Sequence, residues 1–456
     1  MRTLFIESAL ALRQSYWFWP SVLTALALVA GFTLPIVDVR LGTGWMDAVG
    51  FLRPMQVDGA RGILTTLASA VLGVAGVSFS ITMVAVTFAS GNYGPRLIGN
   101  FMRDRTNQVV LGIFLATFVY CIAVLSTIHA ESGVDDDIIA AFVPQISILV
   151  AMMLTLASVG ALIVYIHHVP ESINIMNLVA KIGAELEAAV VATALAQAKR
   201  DEDAAEPDIA PWHTHSAAIG DSAASIASGR TGYIQWVDLD TLTAKAREAK
   251  GQVVLVRTPG DFVVEGETIM TARPASHFDE ACREALGRAV TFGTNRTELQ
   301  DVLFLSDELV EVLERALSPG VNDPNTAMLC LDWLRAGLSA FARQGETADV
   351  SPLSAVLYTR VSFETMLARS LSQMRQYIAA DRNVTVHAIA MLADLADDVH
   401  GAKRLQAIDH EAETLAMSAQ ERLDESAARQ DVETALANYR ARRERRLAGI
   451  TAPTTP

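Results

Sequence analysis

Four long apolar stretches fill the first third of this 456-residue chain, and no other feature constrains its fold as strongly. They run from about Tyr16 to Val37, Gly62 to Ser90, Val109 to Ile128 and Ile138 to Ile166. A hydrocarbon core ~30 Å thick needs about 20 apolar residues at the helical rise, and each stretch meets that. Residues 1–168 therefore read as a transmembrane domain with four spans, at about 16–37, 62–90, 109–128 and 138–166. The second and fourth are longer than needed, so they tilt or project as helix. The first begins with Tyr16, Trp17 and Trp19 and has no small-x-small site before Asp38. It reads as an uncleaved helix with an aromatic belt rather than a signal peptide.

Arginine placement sets the expected orientation. Arg96, Arg103 and Arg105 lie between spans two and three, whereas Glu131, Asp135, Asp136 and Asp137 lie between spans three and four with no Lys or Arg beside them. An even number of crossings then puts both termini in the cytoplasm and the acidic connection outside.

Charge divides the chain again. Residues 1–166 hold 8 Lys/Arg and 9 Asp/Glu, so the totals of 36 and 51 leave 28 and 42 for the remainder, a net of −14. A body that acidic argues against nucleic acid as the main partner, because phosphate contacts need clustered cations. The basic tail Arg440, Arg442, Arg443, Arg445 and Arg446 is the exception, and is read either as a solvated helix end or as a contact for anionic lipid. Cys121, Cys282 and Cys330 have neither paired nor metal spacing, which fits inert packing in a reducing compartment. The adjacent His167 and His168 point about 100° apart on a helix, and His213-x-His215 lies in a linker, so no metal site and no cofactor is expected.

The polar part divides into a helix and acidic linker at 169–228, a small β module at 229–275, a helical domain at 276–400 and a charged helix and tail at 401–456. Short apolar runs at Tyr233–Val237, Gln252–Arg257, Asp261–Val264 and Thr268–Met270, with turns at Pro259-Gly260 and Glu265-Gly266, mark the β module. Helices are expected around Leu299–Leu317 and over 324–343, 351–379, 384–399 and 403–447. The fold class is mainly α, with four membrane helices and an α-rich module that carries the β insertion at its start.

Three polar groupings stand out. In Ser318-Pro-Gly-Val-Asn-Asp-Pro-Asn-Thr-Ala327, Asp323 caps a helix that starts with Pro324, and Ser318, Asn322, Asp323, Asn325 and Thr326 together compose a candidate site for an anionic ligand. Thr297-Glu-Leu-Gln300 has the spacing of a capping box, with Asp301 in the first turn. The second span carries Thr66, Ser69, Gly73, Gly76, Ser80 and Thr87 on one face. That face either packs closely against another helix or lines a wet path whose basic inner end, at Arg96, favours a small anion. No Walker loop, GxGxxG, CxxC, HExxH or GxSxG occurs, so nothing local points to an enzyme.

Two long signatures resemble one bacterial family, domain of unknown function 2254. The first is Phe79-Ser-Ile-Thr…Phe88-Ala-Ser…Gly94-Pro-Arg-Leu-Ile…Phe101…Asp104-Arg…Gln108, running into Leu111–Leu115 and Phe118-Val-Tyr. The second is Gly293…Arg296-Thr…Gln300-Asp…Phe304 followed by Arg315-Ala-Leu-Ser-Pro-Gly-Val-Asn-Asp-Pro-Asn-Thr-Ala327. His167-His-Val and Pro259-Gly-Asp-Phe-Val…Gly266 agree with it, whereas Gly94 stands where the family usually has Ser. The resemblance implies an inner-membrane protein and carries no established activity. Two readings of function follow: an oligomeric ion channel or transport-related protein with a cytosolic vestibule, or a membrane-anchored sensor or scaffold that uses the Ser318–Thr326 turn. The expected partners are the lipid bilayer and further copies of the chain.

Overall fold

The computed structural model describes residues 16–42, 55–94, 104–131, 141–203, 223–344 and 355–451. The chain divides between Asn174 and Ile175 into a membrane unit and a C-terminal unit.

The membrane unit contains α1 (Phe18–Leu41), α2 (Val57–Tyr93), α3 (Arg105–Thr127) and α4 (Gln145–Ser172), each long and apolar enough to cross a bilayer. The fourth helix begins at Gln145 rather than near 138, because Pro144 takes its N-cap and Phe142 bridges to His129 across the acidic connection. α1 and α3 approach closely through two glycines. A Cβ on Gly31 would strike Ala123, and one on Gly112 would strike Leu23 and crowd Pro20. Small residues allow this approach where lipid supplies no hydrophobic drive between helices. Around the contact, Leu64, Tyr120, Cys121, Val124 and Ile148 form the buried apolar core.

The interior of this bundle is polar at intervals, and several of these groups are paired with one another. Asp38, 6% exposed, accepts hydrogen bonds from the Ile146 N–H at 2.7 Å, the Ser147 N–H at 3.0 Å and the Ser147 hydroxyl at 2.6 Å. A carboxylate at a helix start answers both the free N–H groups and the positive end of the dipole. Tyr120 donates to the Ser147 carbonyl, Thr117 and Ser158 pair at 3.0 Å, and Tyr165 bonds Thr82 and the Ser78 carbonyl. At the start of α3, Asp104 accepts from the Thr106 N–H and pairs with His168 Nε2 at 2.6 Å.

In the C-terminal unit, α5 (Ile175–Asp203) packs on α8 (Val302–Ala316) and α9 (Pro324–Ala342), with Gly183 against Trp333 and Gly337 against Leu186. The β module has two sheets. One has the order β1 (Ala224–Ala227), β5 (Thr268–Arg273), β3 (Gln252–Leu255), β7 (Val356–Leu357), and the other β4 (Phe262–Val263), β2 (Gly232–Val237), β6 (Val290–Gly293). All pairings are antiparallel except β3 with β7. Helices α6 (Leu239–Glu248) and α7 (Glu280–Gly287) complete it around Ile234, Leu242, Val253, Ile269, Phe278 and Val356.

The strands are thus not confined to 229–275. β1 falls in the expected linker, β6 in the expected helical domain and β7 inside the expected helix 351–379. That last stretch is β7, then α10 (Phe363–Leu367), a π turn at Ala368–Ser372 and α11 (Arg375–Ile378). Two-to-four-residue strands carry too little period to be read, and their pairing partners lie far away in sequence. The segment 297–300 is likewise no capping box. α8 starts at Val302, Thr297 makes no cap bond, and the Gln300 amide instead bonds both backbone groups of Val237.

After α12 (Arg382–Asp398), the expected single helix 403–447 is two, α13 (Ala402–Arg422) and α14 (Ser426–Thr451), broken where Leu423 turns inward. Three arginines of the basic tail are ion-paired within the unit while still partly exposed to solvent. Arg442 pairs with Asp394 and Asp397, Arg443 with Asp409, and Arg440 with Glu413. Burial, outweighed by the Arg443 and Tyr439 hydrogen bonds, leaves the Asp409 carboxyl below its usual range.

Gly31→Leu will separate α1 from α3 and cost about 1–3 kcal/mol, an overpacking effect, readable as a lowered thermal midpoint in detergent. Gly73→Ala, whose Cβ meets none of the described residues within 4 Å, will not lower that midpoint.

Candidate functional site

The residues singled out on the second span are all on the outside of the bundle. Thr66, Ser69, Gly73, Gly76, Ser80 and Thr87 are exposed, and none of the described residues lies within 4 Å of a Cβ placed on Gly73 or Gly76. The buried face of α2 is Ala60, Leu64, Ala68, Val71, Ala75, Ser78, Thr82 and Ala89. At 100° per residue the two faces lie roughly 150° apart. Among the described residues, these small residues therefore serve no close packing contact. Three of the hydroxyls are satisfied by their own helix, Thr66 on the Gly62 carbonyl, Ser80 on Gly76 and Thr87 on Met83, so the face is stable beside lipid, protein or water. Toward its end, Met83, Val84, Thr87, Phe88 and Gly91 line an open groove of about 440 Å³. Arg96 lies outside the described residues; Arg105 is exposed on the first turn of α3.

The Ser318–Thr326 turn is built largely from its own polar groups. Ser318 donates to the Arg315 carbonyl at 2.6 Å, and Asp323 accepts from the Thr326 N–H at 3.2 Å and the Thr326 hydroxyl at 2.6 Å. Asn322 takes the left-handed conformation with φ +49°, which an Asn tolerates and which returns the Asp323 N–H to the Ala316 carbonyl at 2.7 Å. Asn322 and Asn325 are exposed on its surface.

A third cluster lies where the β module meets α8. Arg296 pairs with Asp301 at 2.6 Å and with Asp307, and its guanidinium sits 5.7 Å over the Phe304 ring. Arg369, from the π turn, closes on both oxygens of Asp307 at 2.7 and 2.8 Å. Gly260, with φ +96°, lies against the Asp301 carboxylate, leaving no room for any side chain. Burial, only partly offset by Arg296, pushes the Asp301 carboxyl up. For Asp307 the burial is outweighed by the Arg369 and Arg296 forks, and its carboxyl is held below the usual range. Two cations and two anions neutralise one another here, so the cluster locks the β module to the helices. Among the described residues no three His, Cys, Asp or Glu converge to hold a metal ion.

Sequence reasoning missed the pairings Asp38–Ser147, Asp104–His168 and Asp307–Arg369. In each, the partners are more than sixty residues apart, and hydrophobic period carries no information about which polar groups will meet. The one available signal was a carboxylate placed at the very edge of an apolar run, as at Asp38 and Asp104.

Four membrane-spanning helices followed by a mixed polar unit define a multi-pass membrane protein. The family described as "Predicted membrane protein (DUF2254)" matches residues 13–394, and the chain belongs to it. It is similar to "Uncharacterized protein Rv1290c" of Mycobacterium tuberculosis (strain ATCC 25618 / H37Rv), with 29% identity over 430 residues, covering 91% of this chain and 78% of that one. "Uncharacterized protein Mb1321c" of Mycobacterium bovis matches to the same extent. No solved structure matches.

Asp307→Ala leaves Arg296 and Arg369 facing one another and will destabilise the C-terminal unit by about 3–5 kcal/mol, the cost of breaking a buried pair. The two carboxylates also give opposite pH responses. The contribution of Asp307, whose folded pKa is lowered, is present above about pH 4 and lost as pH falls through that lowered value. The contribution of Asp301, whose folded pKa is raised, is present below about pH 4 and lost as pH rises through the raised value. In urea titrations against pH, Asp301→Asn will abolish the second dependence and leave the first.

Proposed function

We propose that this protein is the subunit of a homo-oligomeric channel or transport-related protein of the bacterial inner membrane, with both termini in the cytoplasm. The face of α2 that carries Thr66, Ser69, Gly73, Gly76, Ser80 and Thr87 meets its counterparts around a polar path. One observation carries the reading: this small, hydroxyl-bearing face is turned away from the bundle. The chain has its own close helix contact at Gly31 and Gly112, so the α2 residues are not needed for it. A ring of copies is the economical way to enclose a path with so few helices. The arginines Arg96, Arg103 and Arg105 would gather small anions at the cytoplasmic mouth, and the acidic C-terminal unit would form the vestibule.

The second reading, an anchored sensor or scaffold, has the exposed Asn322 and Asn325 to offer a ligand, while Ser318, Asp323 and Thr326 are bonded within the turn.

Single cysteines at Ser69, Gly76, Ser80 and Thr87, studied in planar bilayers, test the first reading. A charged thiol reagent will change the current at these four positions and not at Leu72 or Ile81, which lie on other exposed faces of the same helix. Equal insensitivity at all six, or no current at any protein density, refutes the pore.

A further inference from the structure

Asn107 stands in the first turn of α3 and is 5% exposed, yet its Oδ1 meets no donor among the described residues. In a bundle surrounded by lipid an unanswered amide is costly, and it calls for a partner. The same turn holds a charge that is only partly answered. Asp104 caps α3, accepting from the Thr106 N–H at 2.8 Å, and its other oxygen lies 2.6 Å from His168 Nε2. Among the described residues it pairs with no Lys or Arg, and the adjacent Arg105 is exposed. Residues 104 and 107 share a helix face, and the Asn107 N–H is 3.4 Å from Asp104 Oδ1, so the two side chains are neighbours.

The amide is turned inward. Asn107, Val110 and Phe114 fall on one face of α3, and Val110 and Phe114 belong to the buried cluster that holds Tyr165 and Val169 of α4. The contacts Asp104–His168 and Thr117–Ser158 set the antiparallel register of α3 and α4. That register puts Asn107 level with the stretch from Tyr165 to His168. There the Tyr165 hydroxyl, in a side chain 4% exposed, pairs with Thr82 of α2 at 2.9 Å. One carboxylate, one amide oxygen and two hydroxyls are thus brought to one layer of the bundle by three helices.

We infer that this layer binds a monovalent alkali cation, held by the Asp104 carboxylate and Asn107 Oδ1 and bordered by Tyr165 and Thr82. The donor set selects the class. All are hard oxygens, which suit Na⁺ or K⁺ rather than a soft transition metal. A single carboxylate balances one positive charge, and among the described residues no three His, Cys, Asp or Glu gather to hold a divalent ion. A water molecule would give Asn107 a donor but would leave the charge on Asp104 as it was; a cation answers both. The site lies inside one bundle, so it stands whether or not the outward face of α2 lines a pore.

Thermal unfolding of the full-length protein in detergent tests it, in NaCl, KCl and choline chloride at one ionic strength. NaCl or KCl will raise the midpoint several degrees above that in choline chloride, and the rise will saturate with concentration. Asp104→Asn will abolish the rise. Asparagine caps a helix as well as aspartate does, so α3 keeps its start and only the charge is lost. Asn107→Leu will abolish it too, whereas Asn107→Asp, which keeps an oxygen at the same place, will retain it. Equal midpoints in all three salts would mean that a proton on His168 answers Asp104 alone, and would overturn the site. A rise that survives in Asp104→Asn or in Asn107→Leu would put the ion elsewhere, and would overturn it as well.

Discussion

The membrane unit depends on the capping of α4 by Asp38. A bilayer offers no water to the first N–H groups of a helix, so the start of α4 needs an acceptor from within the protein. Asp38 supplies both carboxylate oxygens to it, from the last turns of α1. The same bond makes a buried carboxylate tolerable, because the helix end answers the charge without a basic side chain. Asp104 repeats the arrangement at the start of α3, with His168 of α4 on its second oxygen. These two contacts tie three of the four helices together at their ends, and the Gly31 and Gly112 approach fixes α1 against α3 between them.

With the interior so closed, the outward small-residue face of α2 stands apart. A helix that meets only lipid has no use for a stripe of Gly, Ser and Thr, since Leu and Ile serve better there. Three of its hydroxyls are self-bonded, which lets the face stand beside lipid without another partner.

What was legible in the sequence follows from the range of each force. Membrane spans are written in runs of twenty apolar residues, and all four were readable to within a few residues at most ends. Helices such as α9 and α12 carry their own caps and periods, at Asp323 and Asp381, and were readable for that reason. β7 was not, because two residues that pair with Val253 and Val254 from about a hundred positions away have no local signature. The break between α13 and α14 was hidden by the charged, alanine-rich composition common to both. Of the site residues, the α2 face was readable as a face, but whether it points inward or outward is decided by where the other three helices pack. The Asp301–Arg296 pair was obscured by a plausible local reading of Thr297 and Gln300 as a cap.

The clasp between α14 and its neighbours has a consequence for the order of events during synthesis. A chain made from its N-terminus presents α12 and α13 before their counter-charges exist. Asp397, Asp409 and Glu413 therefore emerge before the arginines that pair with them, Arg440, Arg442 and Arg443, whereas Asp394 already has Arg335 of α9. By then the four spans, more than two hundred residues upstream, have long left the ribosome. The last helix thus acts as a latch, the final element to join a unit whose chain already follows four membrane spans.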